Sequence, residues 1–150
     1  MQRRIFLIGM PALGLTAAAG ATYAYWWKPD LPEGTRNISV EEAYQAVQAG
    51  EIWLIDIRRP DEWEATGVAP GALLIDMRRD DFVAALSDAT APDPDRPVAI
   101  VCARGVRSRR LTAALAEAGI TNLIDLPEGM LGSQAGPGWI GAGLPVMAPS

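Results

Sequence analysis

The residues able to do chemistry in this chain are crowded into one stretch, CARGVRSRR, at positions 102–110. It holds the only cysteine of the sequence and four of its thirteen lysine and arginine residues, in a chain whose net charge is −5. A cysteine reacts as its thiolate, and nearby cations both favour that anion and attract an anionic reactant. Three local features set Cys102 apart from an inert buried thiol. It comes after an apolar run, Val98 to Val101, rather than lying within one. Gly105 tolerates positive φ, so the chain can curl with its amides pointing inward. A helix expected to start near Arg107 or Ser108 then aims its positive end at the sulfur. A helix terminus contributes only about 0.3–1 kcal/mol to holding a charge, so Arg104 or Arg107 and the loop amides must share the task. Arg109 and Arg110 are expected on a solvated helix face.

Composition removes several alternatives. With no histidine there is no Cys-His or Ser-His pair and no imidazole metal ligand. One cysteine forms no intramolecular disulfide. Any metal would need carboxylates, and the tempting Asp93 and Asp95 sit in APDPDRP, whose prolines predict a stiff surface loop. No metal is therefore expected. From residue 28 onward eleven basic residues face eighteen acidic ones, which excludes a nucleic-acid partner by charge.

The elements that must position the cysteine read as an α/β domain. Ser39 and Glu42 form a capping box opening a helix that carries Val40, Ala43, Tyr44 and Val47 on one face and stops at Gly50. Residues 52–55 predict a strand buried on both faces, 59–64 a short helix, 72–75 a brief strand and 81–86 another helix. Residues 98–101 make a third buried strand that delivers Cys102 at its carboxyl end. Leu111, Ala114, Leu115 and Ala118 recur at helical spacing up to Gly119, and 123–124 make a last strand. The Gly- and Pro-rich remainder, 127–149, is expected to run over the surface. Alternating strands and helices predict a mainly parallel sheet, whose ligands bind at the carboxyl ends of its strands.

Several separated motifs, in order, resemble those of rhodanese-like sulfurtransferases. Cys102, Gly105, Arg107 and Ser108 match the loop C-x-x-G-x-R-S. Asp56 and Arg58, with Glu62-Trp63 after them, are similar to D-x-R…E-[FYW]. Residues 67–72 (GVAPGA) resemble G-H-I-P-G-A, and Trp139 with residues 143–146 (GLPV) resembles the closing W…GLPV. Val68 departs from the histidine of that pattern, and Glu128-Gly129 from a Gly-Gly. The resemblance spans roughly 36–147 and implies a rhodanese-like domain with about five mainly parallel strands flanked by helices. It implies no cofactor, a sulfane-sulfur transfer through a Cys102 persulfide, and a thiosulfate-type donor. Ala103, Arg104, Gly105, Val106, Arg107 and Ser108 would bind the small anionic donor, with Arg107 as the main contact. Asp56 and Arg58 would support the loop as a structural pair. The acceptor is a thiol or a protein. Two rivals stand beside this reading. A phosphatase or arsenate reductase needs C-x5-R, but the sixth residue after Cys102 is Ser108. A persulfide carrier or docking module needs the same loop and no turnover.

Residues 1–28 read as an address, with a linker after them at 29–35. Arg3 and Arg4 precede an uncharged apolar run, 5–27, in the form of an export signal, and residues 3–7 (RRIFL) resemble the twin-arginine motif. The run would form an apolar helix, either cleaved after an A-x-A site or retained as a membrane anchor with Tyr23, Tyr25, Trp26, Trp27 and Lys28 at the interface. Either outcome puts the domain on the periplasmic side of the inner membrane.

Overall fold

The computed structural model describes residues 30–150. The apolar segment 5–27, with its expected helix and its export or anchor function, lies outside the described residues. Among the described residues no helix is long and apolar enough to cross a membrane.

Five strands form one sheet: β1 (Arg36–Asn37), β2 (Trp53–Asp56), β3 (Ala72–Leu74), β4 (Val98–Val101) and β5 (Leu123–Asp125). Their order is β1-β5-β4-β2-β3, and every neighbouring pair is parallel. The helices are α1 (Val40–Gln48), α2 (Pro60–Thr66), α3 (Phe82–Thr90), α4 (Val106–Glu117) and the single turn α5 (Gly138–Gly141). A parallel sheet covered on both faces needs strands that are apolar throughout, and β4, VAIV, is buried at all four positions. Side chains alternate across it. Ala99 and Val101 join a core with Val40, Ala43, Leu54, Met130 and Trp139, while Val98, Ile100 and Cys102 join one with Ile55, Phe82, Leu86 and Leu115. Cys102 thus continues the strand's alternation one step past its end.

The capping box forms as the sequence predicts. The Glu42 amide donates to Ser39 Oγ at 3.1 Å and the Ser39 amide to Glu42 Oε2 at 2.8 Å. Three expectations change. The two-residue edge strand β1 is too short to announce itself by alternation, and its pairing with β5 is long-range. The buried stripe of α4 is Ser108, Thr112, Ala113 and Leu115, so Ala114 and Ala118 point to solvent. That helix turns two hydroxyls inward: Ser108 Oγ accepts from the Cys102 thiol, and Thr112 Oγ1 is buried with no hydrogen-bond partner among the described residues. The segment after β5 is not a surface run either. Met130 and Trp139 are fully buried, with the Trp139 indole N–H donating to the Pro145 carbonyl at 2.8 Å. The APDPDRP loop does lie on the surface, pinned where the Trp53 indole donates to the Asp93 carbonyl and Arg96 stacks 4.2 Å over the Trp53 ring.

At the carboxyl end of β2, Asp56 and Arg58 are both fully buried. Arg58 donates from Nε and Nη2 to the Asp56 carboxylate at 2.7–3.0 Å, from Nη1 to Thr66 Oγ1 at 2.7 Å, and from Nη2 to the Gly67 carbonyl at 2.8 Å. The pair therefore ties β2 to the end of α2. Removing one partner strands a buried charge, which typically costs more than removing both. Arg58→Met should lower unfolding free energy by about 3–5 kcal/mol in urea titrations, and the double variant Asp56→Leu with Arg58→Met should cost less than the single.

Candidate active site

Consecutive connections leave β2 and β4 in opposite directions: β2 leads out to β3 on one side, and β4 leads to β5 on the other. Between two such strands no crossover covers the carboxyl ends, and a crevice opens there. Cys102 lies just past β4 at this point, and α2, bearing Glu62, lies just past β2. The crevice is a cavity of about 330 Å³ lined by Glu62, Cys102, Ala103, Arg104, Val106, Arg107, Arg110 and Leu131.

The cysteine loop is held from beneath by residues 127–131. The Met130 amide donates to the Cys102 carbonyl at 2.9 Å and the Leu131 amide to the Ala103 carbonyl at 2.8 Å. Gly105 has φ 74° and caps α4 without a side-chain hydrogen bond; a Cβ there would collide with the Pro127 carbonyl. Gly129, φ 71°, is packed as closely against the Ala103 carbonyl. With the loop carbonyls occupied in this way, the amides of Ala103, Arg104, Gly105 and Val106 donate to no group among the described residues. The first turn of α4 likewise has no side-chain cap. Cys102 is only 1% exposed, at the floor of the cavity, and its thiol donates to the buried Ser108 Oγ at 3.6 Å. A hydroxyl both donates and accepts, so Ser108 serves an ionised sulfur equally.

Of the residues singled out from the sequence, Cys102, Ala103, Arg104, Val106 and Arg107 line the cavity, while Gly105 and Ser108 lie buried under it. Asp56 and Arg58 stand behind the crevice, not in it. Arg109 and Arg110 are not a solvated face. Arg109 reaches across to Asp125 at 3.8 Å and Asn37 at 3.5 Å, and Arg110 joins the cavity wall. Three lining residues escape sequence reasoning: Glu62, Leu131 and Arg110. Glu62 is visible in the sequence only as part of a motif. It accepts from Arg107 Nη1 at 2.8 Å and Nη2 at 2.6 Å, so the guanidinium fork faces a carboxylate of the same protein. Chiefly this hydrogen bonding, opposed by partial burial and aided by the Arg59 amide, holds the Glu62 carboxyl at about 2, below its ordinary 4.5.

The two departures from the motif pattern have structural explanations. Val68 is buried and exchanges both backbone hydrogen bonds with Met147 at 2.9 Å. Glu128, also buried, accepts from the first amide of α1 at Val40 (3.2 Å) and from the Gly138 amide that opens α5 (3.1 Å). A carboxylate at two helix starts is well placed, and it anchors the segment that carries the cysteine loop. Among the described residues no three acidic or cysteine side chains gather as a metal site.

Replacing Gly105 by alanine forces a Cβ into the Pro127 carbonyl at positive φ. The variant should lose about 2–4 kcal/mol of stability in chemical denaturation, and the reactivity of Cys102 towards a small alkylating agent should change with it.

Comparison with known proteins agrees with this architecture. The model of the rhodanese-like domain family matches residues 39–135. The solution structure of the 30 kDa polysulfide-sulfur transferase homodimer from Wolinella succinogenes is similar at 25% identity. The similarity covers 90% of this chain and 89% of that one, with a TM-score of 0.60. A rhodanese-like domain protein from Staphylococcus aureus (23% identity, 77% and 99% covered, TM-score 0.52) has the same fold. So has a rhodanese-related protein from Thermoplasma volcanium (22%, 76% and 99%, 0.53). No curated protein sequence matches significantly. Family membership and the Wolinella neighbour support sulfur transfer as the class of chemistry. With its sheet order, its cysteine loop and a family match over most of its length, the chain belongs to the rhodanese-like domain family.

Proposed function

We propose that the protein is a sulfurtransferase that carries a sulfane sulfur on Cys102. The observation that carries the reading is a thiol lining a cavity, followed by a loop whose backbone N–H groups meet no acceptor among the described residues. The Cys102 thiolate attacks the outer sulfur of thiosulfate; the S–S bond breaks and sulfite leaves with the electron pair. The product is the Cys102 persulfide anion, Cys102–S–S⁻. Its charge is stabilised by the amides of the loop and of the α4 first turn, as an oxyanion hole stabilises developing charge. Arg104 and Arg110 supply positive charge for the donor, and Ser108 supports the inner sulfur. Arg107 contributes to the wall, its terminal nitrogens directed at Glu62. A thiol, cyanide or protein acceptor then takes the outer sulfur and the thiolate is restored. The near-complete burial of Cys102 shelters the persulfide from adventitious oxidants.

Mass spectrometry after incubation with thiosulfate should show one added sulfur on Cys102, absent from Cys102→Ser. Failure to load from thiosulfate, polysulfide and organic persulfides alike would overturn the reading. Loading without turnover onto cyanide or thiols would make the protein a carrier.

The same proposal puts the domain on the periplasmic side of the inner membrane, exported or anchored through residues 1–28 by Arg3, Arg4 and the apolar run 5–27. Fractionation of cells expressing a C-terminally tagged chain should recover it in the periplasm or membrane. Full-length protein in the cytosol would refute that location.

A further inference from the structure

We infer that Glu62 is a charge filter for the cysteine cavity, lowering its preference for small dianions relative to sulfur donors that carry one negative charge. The inference rests on the sulfur-transfer reading and assigns its substrate class. Glu62 and Arg107 both line the cavity that holds Cys102. Arg107 spends both terminal nitrogens on the Glu62 carboxylate, at 2.8 and 2.6 Å. The carboxylate is fixed further by the Arg59 amide at 3.0 Å and has a side-chain exposure of 21%. It stays ionised at any working pH, since Arg107 holds its pKa near 2. The guanidinium in the first turn of α4 thus faces a fixed anion in the wall, one that it shares with the Arg59 guanidinium at 3.4 Å.

An incoming thiosulfate dianion meets that carboxylate with two charges. An organic persulfide, R–S–S⁻, meets it with one, and its tail can lie against Val106 and the exposed Leu131. The transfer balances: Cys102–S⁻ attacks the outer sulfur of R–S–S⁻, giving Cys102–S–S⁻ and R–S⁻, with no oxidant or reductant consumed. One extra unit of charge a few ångströms from a partly buried carboxylate corresponds to about a tenfold effect.

Loading of Cys102 can be timed by mass spectrometry, with thiosulfate and with 2-hydroxyethyl hydropersulfide, in variants checked by circular dichroism. Glu62→Gln should accelerate loading from thiosulfate about tenfold more than loading from the persulfide. Glu62→Asp, which keeps the charge, should retain the wild-type preference. The double variant Glu62→Gln with Arg107→Gln, which restores the net charge, should return the ratio of thiosulfate to persulfide loading towards that of the wild type. Equal acceleration of both donors, or none for thiosulfate, would overturn the inference. Inhibition tests it without a sulfur donor's chemistry: Glu62→Gln should strengthen inhibition of loading by sulfate about tenfold more than inhibition by methanesulfonate, a monoanion shaped like sulfate. Equal strengthening of both would overturn it. A wild-type protein that loads from neither donor would refute sulfur transfer itself, a result distinct from loading without charge discrimination.

Discussion

The site depends on one constraint of the sheet: β4 is held between β2 and β5, all parallel, and the chain departs from β2 and β4 in opposite directions. Adjacent parallel strands end side by side, within about 5 Å of each other. The segment leaving β2 must therefore face the segment leaving β4. β2 ends in the buried Asp56–Arg58 pair and leads to a short helix; beyond β4 come a cysteine and a tight loop. Glu62 and Arg107, 45 residues apart, meet because of this topology and nothing more local.

The second wall comes from the chain after β5. Its backbone lies so close to the cysteine loop that both contact points, Gly105 and Gly129, have no room for a Cβ. The amides of Met130 and Leu131 take the loop carbonyls, and this leaves the loop amides for an anion. Glu128 then holds the supporting segment against the starts of α1 and α5. Loop shape is thus set by a segment well downstream in the chain, and the fully buried Trp139 is part of what keeps that segment in place.

The charge of the site is more balanced than the sequence implies. Four arginines in one short stretch suggest a strongly cationic pocket, yet the fold pairs Arg107 with Glu62 and Arg109 with Asp125. Arg104 and Arg110 line the cavity wall. In the proposed reading a small anion is then held mainly by backbone amides, whose dipoles are fixed by folding and need no reorganisation when charge arrives.

Local pattern was enough for much of this. The apolar run before Cys102, the glycine three residues after it, the capping box at Ser39 and the alternation of helix and strand all act over a few residues. They determined the candidate nucleophile, its place at a strand end and the α/β class. Four matters were beyond such patterns. The edge strand β1 is only two residues long. The inward face of α4 carries hydroxyls where apolar spacing pointed to alanines. The Gly-rich segment after β5 buries Met130 and Trp139 although its composition reads as surface. The partners of Arg107 and Arg109 lie on other elements. Each of these turns on distances across the sheet between residues far apart in sequence. Strand order sets those distances, and neither periodicity nor motif spacing encodes strand order; only the tertiary structure could decide them.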